Sequence, residues 1–310
     1  MTNQEKYFRL CEQQSFPLHA QAWWWKCCTI GKEWDAIIIE NAEGQIEAAM
    51  PYHIFCRFGI RTMLMPQHSQ YLYAYISNNA PKDIYRRLVD NIDNICKKNH
   101  VGLLQIQGFF QKQLLEELSK RKFTIRERNT YRIDKIPSLE NLPSSFSTNK
   151  RRQLRKAVDL QLVDLSVESF YSFERTCWTA QNRQIDYPIS WAKAVLSEAT
   201  KLRQGRLIAA KAKNGALMAA LFLAWDDRFA YYLLPAYNPA TKNNGGVAWL
   251  TTQALKIAKE KGLSFDFEGS MIPSIASSYR QFGGQAVTYY SIEKFYNPLY
   301  RIFIWIHQHL

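Results

Sequence analysis

Two acidic side chains and a tyrosine near the end of the chain are the residues best suited to chemistry. The run Phe265-Asp266-Phe267-Glu268-Gly269-Ser270 alternates aromatic and acidic residues. As a short strand it turns Phe265 and Phe267 toward a core and sets Asp266 and Glu268 on the other face. The run Tyr279-Arg280-Gln281-Phe282-Gly283-Gly284 then reads as a helix that ends on glycine. A carboxylate pair at the end of a central strand can take a proton from an amine. It can equally hold an Arg or Lys from a neighbouring helix, because a carboxylate on a buried strand is costly without a partner.

Two further groups are suited to anions. In Asn243-Asn244-Gly245-Gly246-Val247-Ala248 the glycines let the backbone approach a phosphate, and the helix start that follows favours negative charge. The plain alternative is an Asn-Gly-Gly turn before a helix. Lys150, Arg151, Arg152, Arg155 and Lys156 form a dense basic cluster. On a helix Arg152, Arg155 and Lys156 share a face, fit for a sugar-nucleotide diphosphate or a tRNA backbone, or simply for solvent. Arg183 and Arg206 could contribute, although nothing local singles them out. Trp225, Tyr231 and Tyr232 line a groove or fill core. His68, in the loop Pro66-Gln67-His68-Ser69-Gln70, is a candidate substrate contact. No Ser-His-Asp order and no zinc-ligand spacing surrounds it.

The elements that must position these groups come in two sets. In the first half, residues 18–29 form a helix, and Trp34 to Glu40 and Ile46 to Tyr52 a hairpin around Asn41 to Gly44. Further strands follow near Arg57 to Met65 and Leu72 to Ile76. The helix Asp83 to Lys98, the strand Leu103 to Gln107, the helix Phe110 to Arg121 and the strand Phe123 to Ile133 complete this half. Residues 137–149, rich in Pro, Ser and Asn, read as a connector. The second half has helices at Lys150 to Val158, Val167 to Ala180 and Trp191 to Leu202. It continues with a hairpin at Leu207 to Lys213 and Leu217 to Trp225, a strand Phe229 to Leu234, and the helix Gly246 to Lys261. The strand Leu263 to Phe267, the helix Ile275 to Phe282 and the strand Ala286 to Phe295 end it.

The order of elements thus repeats. Glu43-Gly44-Gln45-Ile46-Glu47-Ala48-Ala49 aligns with Asn214-Gly215-Ala216-Leu217-Met218-Ala219-Ala220, and Gln105-Ile106-Gln107-Gly108 with Asp266-Phe267-Glu268-Gly269. Amides stand at Gln105 and Gln107 where the later copy has carboxylates. This asymmetry places the chemistry in the second half.

Composition bounds the reading. The 310 residues are 47% apolar and 14% aromatic, enough for two packed domains. Forty Lys and Arg against 27 Asp and Glu leave a formal charge of +13, which favours anionic partners. The six cysteines, Cys11, Cys27, Cys28, Cys56, Cys96 and Cys177, form no CxxC pair and no metal set. They read as thiols of a reducing cytoplasm. The polar start lacks the apolar core of a signal peptide, and no run of 18 apolar residues spans a membrane. The apolar segment Pro298 to Leu310 is expected to dock on the protein, with peripheral lipid contact as the alternative.

Hairpin, third strand, loop, helix, strand, helix, strand is an order that resembles the GNAT acyltransferase fold. Its tandem repetition is similar to the Fem-type aminoacyl transferases and their FemAB-like relatives. The resemblance is carried by His19-Ala20-Gln21-Ala22-Trp23-Trp24, Ala49-Met50-Pro51-Tyr52, Met65-Pro66 with Gln70-Tyr71, the segment Lys150 to Ala157, and the segment Phe265 to Gly284. It implies an α/β fold of two GNAT-like domains, each a mixed sheet flanked by helices, at about 1–140 and 141–310. The first would be degenerate and the second active.

The family's phosphate loop is Arg or Gln, two residues, Gly, one residue, then Gly or Ala. Gly246 and Ala248 match that pattern, while Asn243 departs from it, which leaves use of acyl-CoA open. The resemblance implies that Asn243, Asn244, Gly245, Gly246 and Ala248 cradle the carrier's phosphates. It also implies that backbone N–H groups around Tyr232, Leu233 and Leu234 stabilise the oxyanion, and that Tyr279 protonates the leaving group. Asp266 or Glu268 would orient or deprotonate an amine. The implied activity moves an acyl group from acetyl-CoA or another acyl-CoA, or from an aminoacyl-tRNA, to an amine on a cell-envelope precursor or sugar, without a metal. The alternative is a non-catalytic module that binds nucleic acid or an anionic glycan.

Overall fold

The computed structural model describes residues 1–29, 34–57, 59–241, 245–298 and 300–301. Asn243, Asn244 and most of the apolar tail therefore lie outside the described residues. The chain divides into two units, Met1–Arg128 with Thr288–Leu310, and Asn129–Val287. This differs from a single cut near residue 140. The chain passes from one unit to the other within each of two long strands, so the last segment returns to the first unit.

The first unit begins with α1 (Asn3–Gln13) and α2 (Ala22–Cys28), followed by β1 (Trp34–Glu40), β2 (Ile46–Arg57), β3 (Ile60–Leu64) and the short β4 (Tyr75–Ile76). It continues with α3 (Ile84–Lys98), β5 (Leu103–Gly108), α4 (Lys112–Lys120) and the start of β6 (Thr124–Ile133). Helix α1, which the polar composition hides, starts with a capping box. Thr2 accepts from the Glu5 N–H, and Glu5 accepts from the Thr2 N–H at 2.8 Å. In the sheet β1/β2 and β2/β3 are antiparallel and β3/β5 parallel. β5 then pairs antiparallel with the final strand β12 (Gln285–Phe295), from Gly108↔Tyr290 to Leu103↔Phe295. The expected strand from Leu72 to Ile76 shrinks to β4 and a single bridge, Leu72↔Gly108.

The second unit contains α5 (Thr148–Lys156), β7 (Leu160–Asp164), α6 (Val167–Thr179), α7 (Ile189–Lys201), β8 (Gly205–Ala212), β9 (Leu217–Trp225) and β10 (Phe229–Tyr237). After these come α8 (Gly246–Glu260), β11 (Ser264–Asp266) and α9 (Pro273–Gln281). β7 to β10 form an antiparallel meander, β11 joins parallel to β10, and the end of β6 pairs with β11. Each unit thus closes its sheet with the last strand of the other repeat, and the element order of the first half recurs in the second.

The aromatic residues that alternate with the acids do form core. Phe265 and Phe267 are buried with Tyr232, Phe282, Leu221, Leu223 and the inner side of α8. Phe265 and Phe267 lie 4.9 Å apart in an edge contact. Truncation of a fully buried phenylalanine removes its transfer energy and leaves a cavity. Phe265→Ala is expected to cost about 3–5 kcal/mol of unfolding free energy, read from the shift of a urea denaturation midpoint at unchanged slope.

Candidate functional site

The pairing of β10 with β11 stops at Tyr231↔Asp266, yet β10 runs on to Tyr237. On its other side β10 breaks register with β9 between Leu233 and Ala236. Leu234 stands there at φ +48, and Pro235 has no N–H to donate. The two parallel strands therefore part at Tyr232–Leu234. Backbone that leaves its ladder at such a point can face a ligand instead of a strand.

The end of β11 differs from the extended run that alternation predicts. The strand stops at Asp266, and Glu268 takes the left-handed conformation at φ +63. Asp266 and Glu268 therefore do not share a strand face. Asp266 is fully buried and accepts from the Thr130 hydroxyl at 2.5 Å, Arg132 Nε at 2.7 Å and the Glu268 N–H at 2.8 Å. Of the two roles open to it, Asp266 fills the holding one, and its cation comes from strand β6 and not from a helix. Asp266 and Arg132 are cross-strand partners in register. Sequence reasoning missed Arg132 and Thr130. The alternation Arg128, Thr130, Arg132 along β6 was the available signal, since it marks one polar face on a strand bound for the interior.

The bond to Asp266 turns Glu268 away from the strand. Glu268 is half-buried, with carboxyl oxygen Oε1 buried. Burial, and then the charge of Asp266, hold its pKa well above the carboxylate range, and Arg132 only partly opposes them. Tyr279 stands on α9 with its ring stacked on Phe267, centroids 4.6 Å apart, and in edge contact with Tyr232 at 6.2 Å. Burial, followed by Tyr232, Glu268 and Asp266, pushes its hydroxyl above the ordinary tyrosine range. Among the described residues no hydrogen-bond partner meets that hydroxyl. A carboxyl that binds a proton more tightly than usual and a phenol that keeps its own can act as base and acid. Tyr231 and Trp225 are core residues; the Tyr231 hydroxyl donates to Asp226 at 2.5 Å.

In the first unit the matching place is closed. After β3 leaves β5 at Leu64↔Gln105, the segment Gln70–Leu72 takes its place. The Leu72 N–H donates to Gln107 O at 2.7 Å, and the Gln107 amide donates to Gln70 O at 3.0 Å. A Cβ at Gly108 would meet Leu72 O at 2.1 Å. His68 belongs to this plug, in a turn anchored by Trp24, whose indole donates to Ser69 at 2.8 Å. It stands in the first unit, while the other candidate residues stand in the second.

The basic cluster separates into different roles. Lys150 is buried; its ammonium donates to Ser278 at 2.8 Å and lies 4.5 Å from the Phe282 ring centre, and burial lowers its pKa to about 8. Arg151 donates to the carbonyls of Ser144 and Phe146 at 3.1 and 2.8 Å, which ties down the connector. Arg152 and Lys156, one turn apart, line a cleft of about 180 Å³ with Asn149, Gln153, Gly245, Val247 and Ala248. Arg155 is exposed and lies outside this lining, so only two of the three expected cations act together. Gly245 caps α8 at φ +80, where an added Cβ would meet Gln153 O at 2.1 Å. Only glycine lets the start of α8 approach α5 so closely. The first-turn N–H groups of α8 and two cations thus adjoin one cleft, a setting for an anion. Arg183 lies over Trp178 at 3.9 Å and Arg206 pairs with Asp164 at 2.9 Å, both away from this cleft.

All six cysteines are free thiols. Among the described residues no group of His, Cys, Asp and Glu has the arrangement of a metal site, and no helix is long and apolar enough to cross a membrane.

Residues 144–273 match the family described as the acetyltransferase (GNAT) domain. The second unit carries a GNAT domain. The structure of FemX aligns with this chain at a TM-score of 0.71 and 13% identity, over 97% of this chain and 98% of that one. A tandem GNAT protein from the clavulanic acid biosynthesis pathway aligns at 0.61 and 10% identity, over 94% and 93%. L-PGS from Bacillus licheniformis aligns at 0.57 and 10% identity, over 97% and 95%. The fold is the tandem GNAT fold. The GNAT-domain match marks the chain as an enzyme. No curated protein matches the chain in sequence.

The raised pKa of Glu268 has a consequence for stability. Below about pH 4.3, the ordinary glutamate value, both folded and unfolded chains hold the proton. As pH rises the unfolded chain ionises first, so the native state loses stability until pH passes the folded pKa. Glu268→Gln does not titrate. Urea unfolding is expected to give equal midpoints for variant and parent near pH 4, and a variant that gains on the parent as pH rises toward 8.

Proposed function

We propose that the second unit transfers an acyl group from a phosphate-bearing carrier to an amine, with the wedge between β10 and β11 as the reaction site. The observation that carries this reading is the parting of β10 and β11 after Tyr231↔Asp266, with the Tyr279 ring against Tyr232 and Glu268 two residues past the end of β11. The amine nitrogen attacks the acyl carbon and gives its proton to Glu268. Backbone N–H groups at Tyr232–Leu234 receive the oxyanion. The bond to the carrier's sulfur or oxygen then breaks, and Tyr279 supplies the proton to the departing atom. Asp266 and Arg132 are positioning residues that aim Glu268.

Arg152, Lys156 and the start of α8 would hold the carrier's phosphate. An acyl-CoA and an aminoacyl-tRNA both offer one. The acceptor class is a cell-envelope precursor or an amino sugar.

The test supplies acetyl-CoA or alanyl-tRNA together with glucosamine or a peptidoglycan-precursor amine, and follows release of the free carrier. Turnover is expected with one donor. Tyr279→Phe and Glu268→Gln should each lower kcat by about 10²–10⁴. Arg152→Ala and Lys156→Ala should raise the donor KM about tenfold at similar kcat. Donor binding without turnover for any acceptor would favour the non-catalytic binding module. Turnover unchanged in both Glu268→Gln and Tyr279→Phe would remove these residues from the mechanism.

A further inference from the structure

The first unit holds a second polar cavity, of about 530 Å³, lined by Thr2, Gln4, Asp35, Tyr52, Arg61 and Asn99 among others. Its volume is in the range of small-molecule sites. Strand register builds it. Asp35 faces Tyr52 across β1/β2, Ile54 follows two residues along β2, and Arg61 faces Cys56 across β2/β3. Directly opposed residues and residues two apart share a face, so Asp35, Tyr52 and Arg61 project on the same side of the sheet. Asn99, just past α3, and the first turn of α1 wall the cavity. The Gln4 amide donates to Trp34 O and closes that wall.

The charges in this cavity are not spent on each other. Among the described residues Asp35 accepts only from the Ala36 N–H at 2.8 Å and, weakly, from the Tyr52 hydroxyl at 3.4 Å. Among the described residues the Arg61 guanidinium donates to Asn99 at 3.3 Å and makes no ion pair. Strand geometry puts the two Cα atoms about 16 Å apart: two strand spacings across and four residues along. The long arginine side chain shortens that gap to the span of an extended chain of two to three residues, at about 3.4 Å each.

We infer that this cavity binds a small linear zwitterion of tripeptide length, with its ammonium group on Asp35 and its carboxylate on Arg61. A free α-amino acid carries its charges too close together to reach both ends. The site belongs to the repeat whose wedge is plugged, and it does not depend on the reaction assigned to the second unit.

Calorimetric titration of the full chain tests it with triglycine, N-acetyl-triglycine, triglycine amide and glycine. Saturable binding of triglycine is expected, with affinity about tenfold or more weaker when either end is blocked, and none resolved for glycine. Asp35→Asn and Arg61→Met should each weaken triglycine about tenfold or more, while Arg61→Lys, which keeps the charge and serves if the others misfold, should retain most of it. Glu268→Gln should bind triglycine as the parent does, which separates this site from the catalytic one. No binding of triglycine, equal binding of the blocked probes, or full affinity in folded Arg61→Met overturns the inference.

Discussion

The buried pair of Asp266 and Arg132 is the constraint on which the second unit's site depends. A carboxylate with no exposed surface is tolerable only when its charge is met and its oxygens are bonded. Asp266 meets both conditions with a guanidinium, a hydroxyl and one backbone N–H. That third donor is the N–H of Glu268. The interaction that neutralises Asp266 therefore also bends the chain away from β10 and delivers Glu268 to the opening. Loss of the cation would leave an uncompensated buried charge, at a cost of about 3–5 kcal/mol.

The same plan is used twice with opposite results. In both repeats a third strand pairs parallel with a fourth and then leaves it. In the first, Gln70–Leu72 moves into the gap and Gln107 bonds to its backbone. In the second, the bulge at Leu234 and the left-handed turn at Glu268 keep β10 and the chain beyond Asp266 apart. A neutral amide suits a closed, self-bonded joint, and an ionisable carboxyl suits an open one. The first repeat has turned its polar groups to a different cavity, where Asp35 and Arg61 face a common space without pairing.

Much of this was legible in the residues. The order of hairpins, helices and parallel steps follows from hydrophobic period and turn chemistry, and the likeness of that order to the GNAT fold implied the tandem architecture. Phe265 and Phe267 read as core from their alternation with acids and are core, although the strand ends at Asp266 and Asp266 is itself buried. The mutual approach of α5 and α8 was only half legible: glycine at 245 was marked for a phosphate, yet its positive φ and the closeness of Gln153 also serve helix packing. The basic run Lys150–Lys156 could not be divided by inspection. Which cation turns inward to Ser278, which bonds to carbonyls and which lines a cleft depends on what packs against each side of one helix turn.

By itself, then, the sequence determined most element types and their repetition, since these follow from local period and side-chain chemistry. Only the tertiary structure decided that Asp266 holds a cation while Glu268 turns off the strand, because that division rests on Arg132, distant in the chain and adjacent in the sheet. The same is true of the reciprocal exchange of final strands between the two units and of the cavity between Asp35 and Arg61. Strand register sets all three, and register is a relation between segments that no single segment carries.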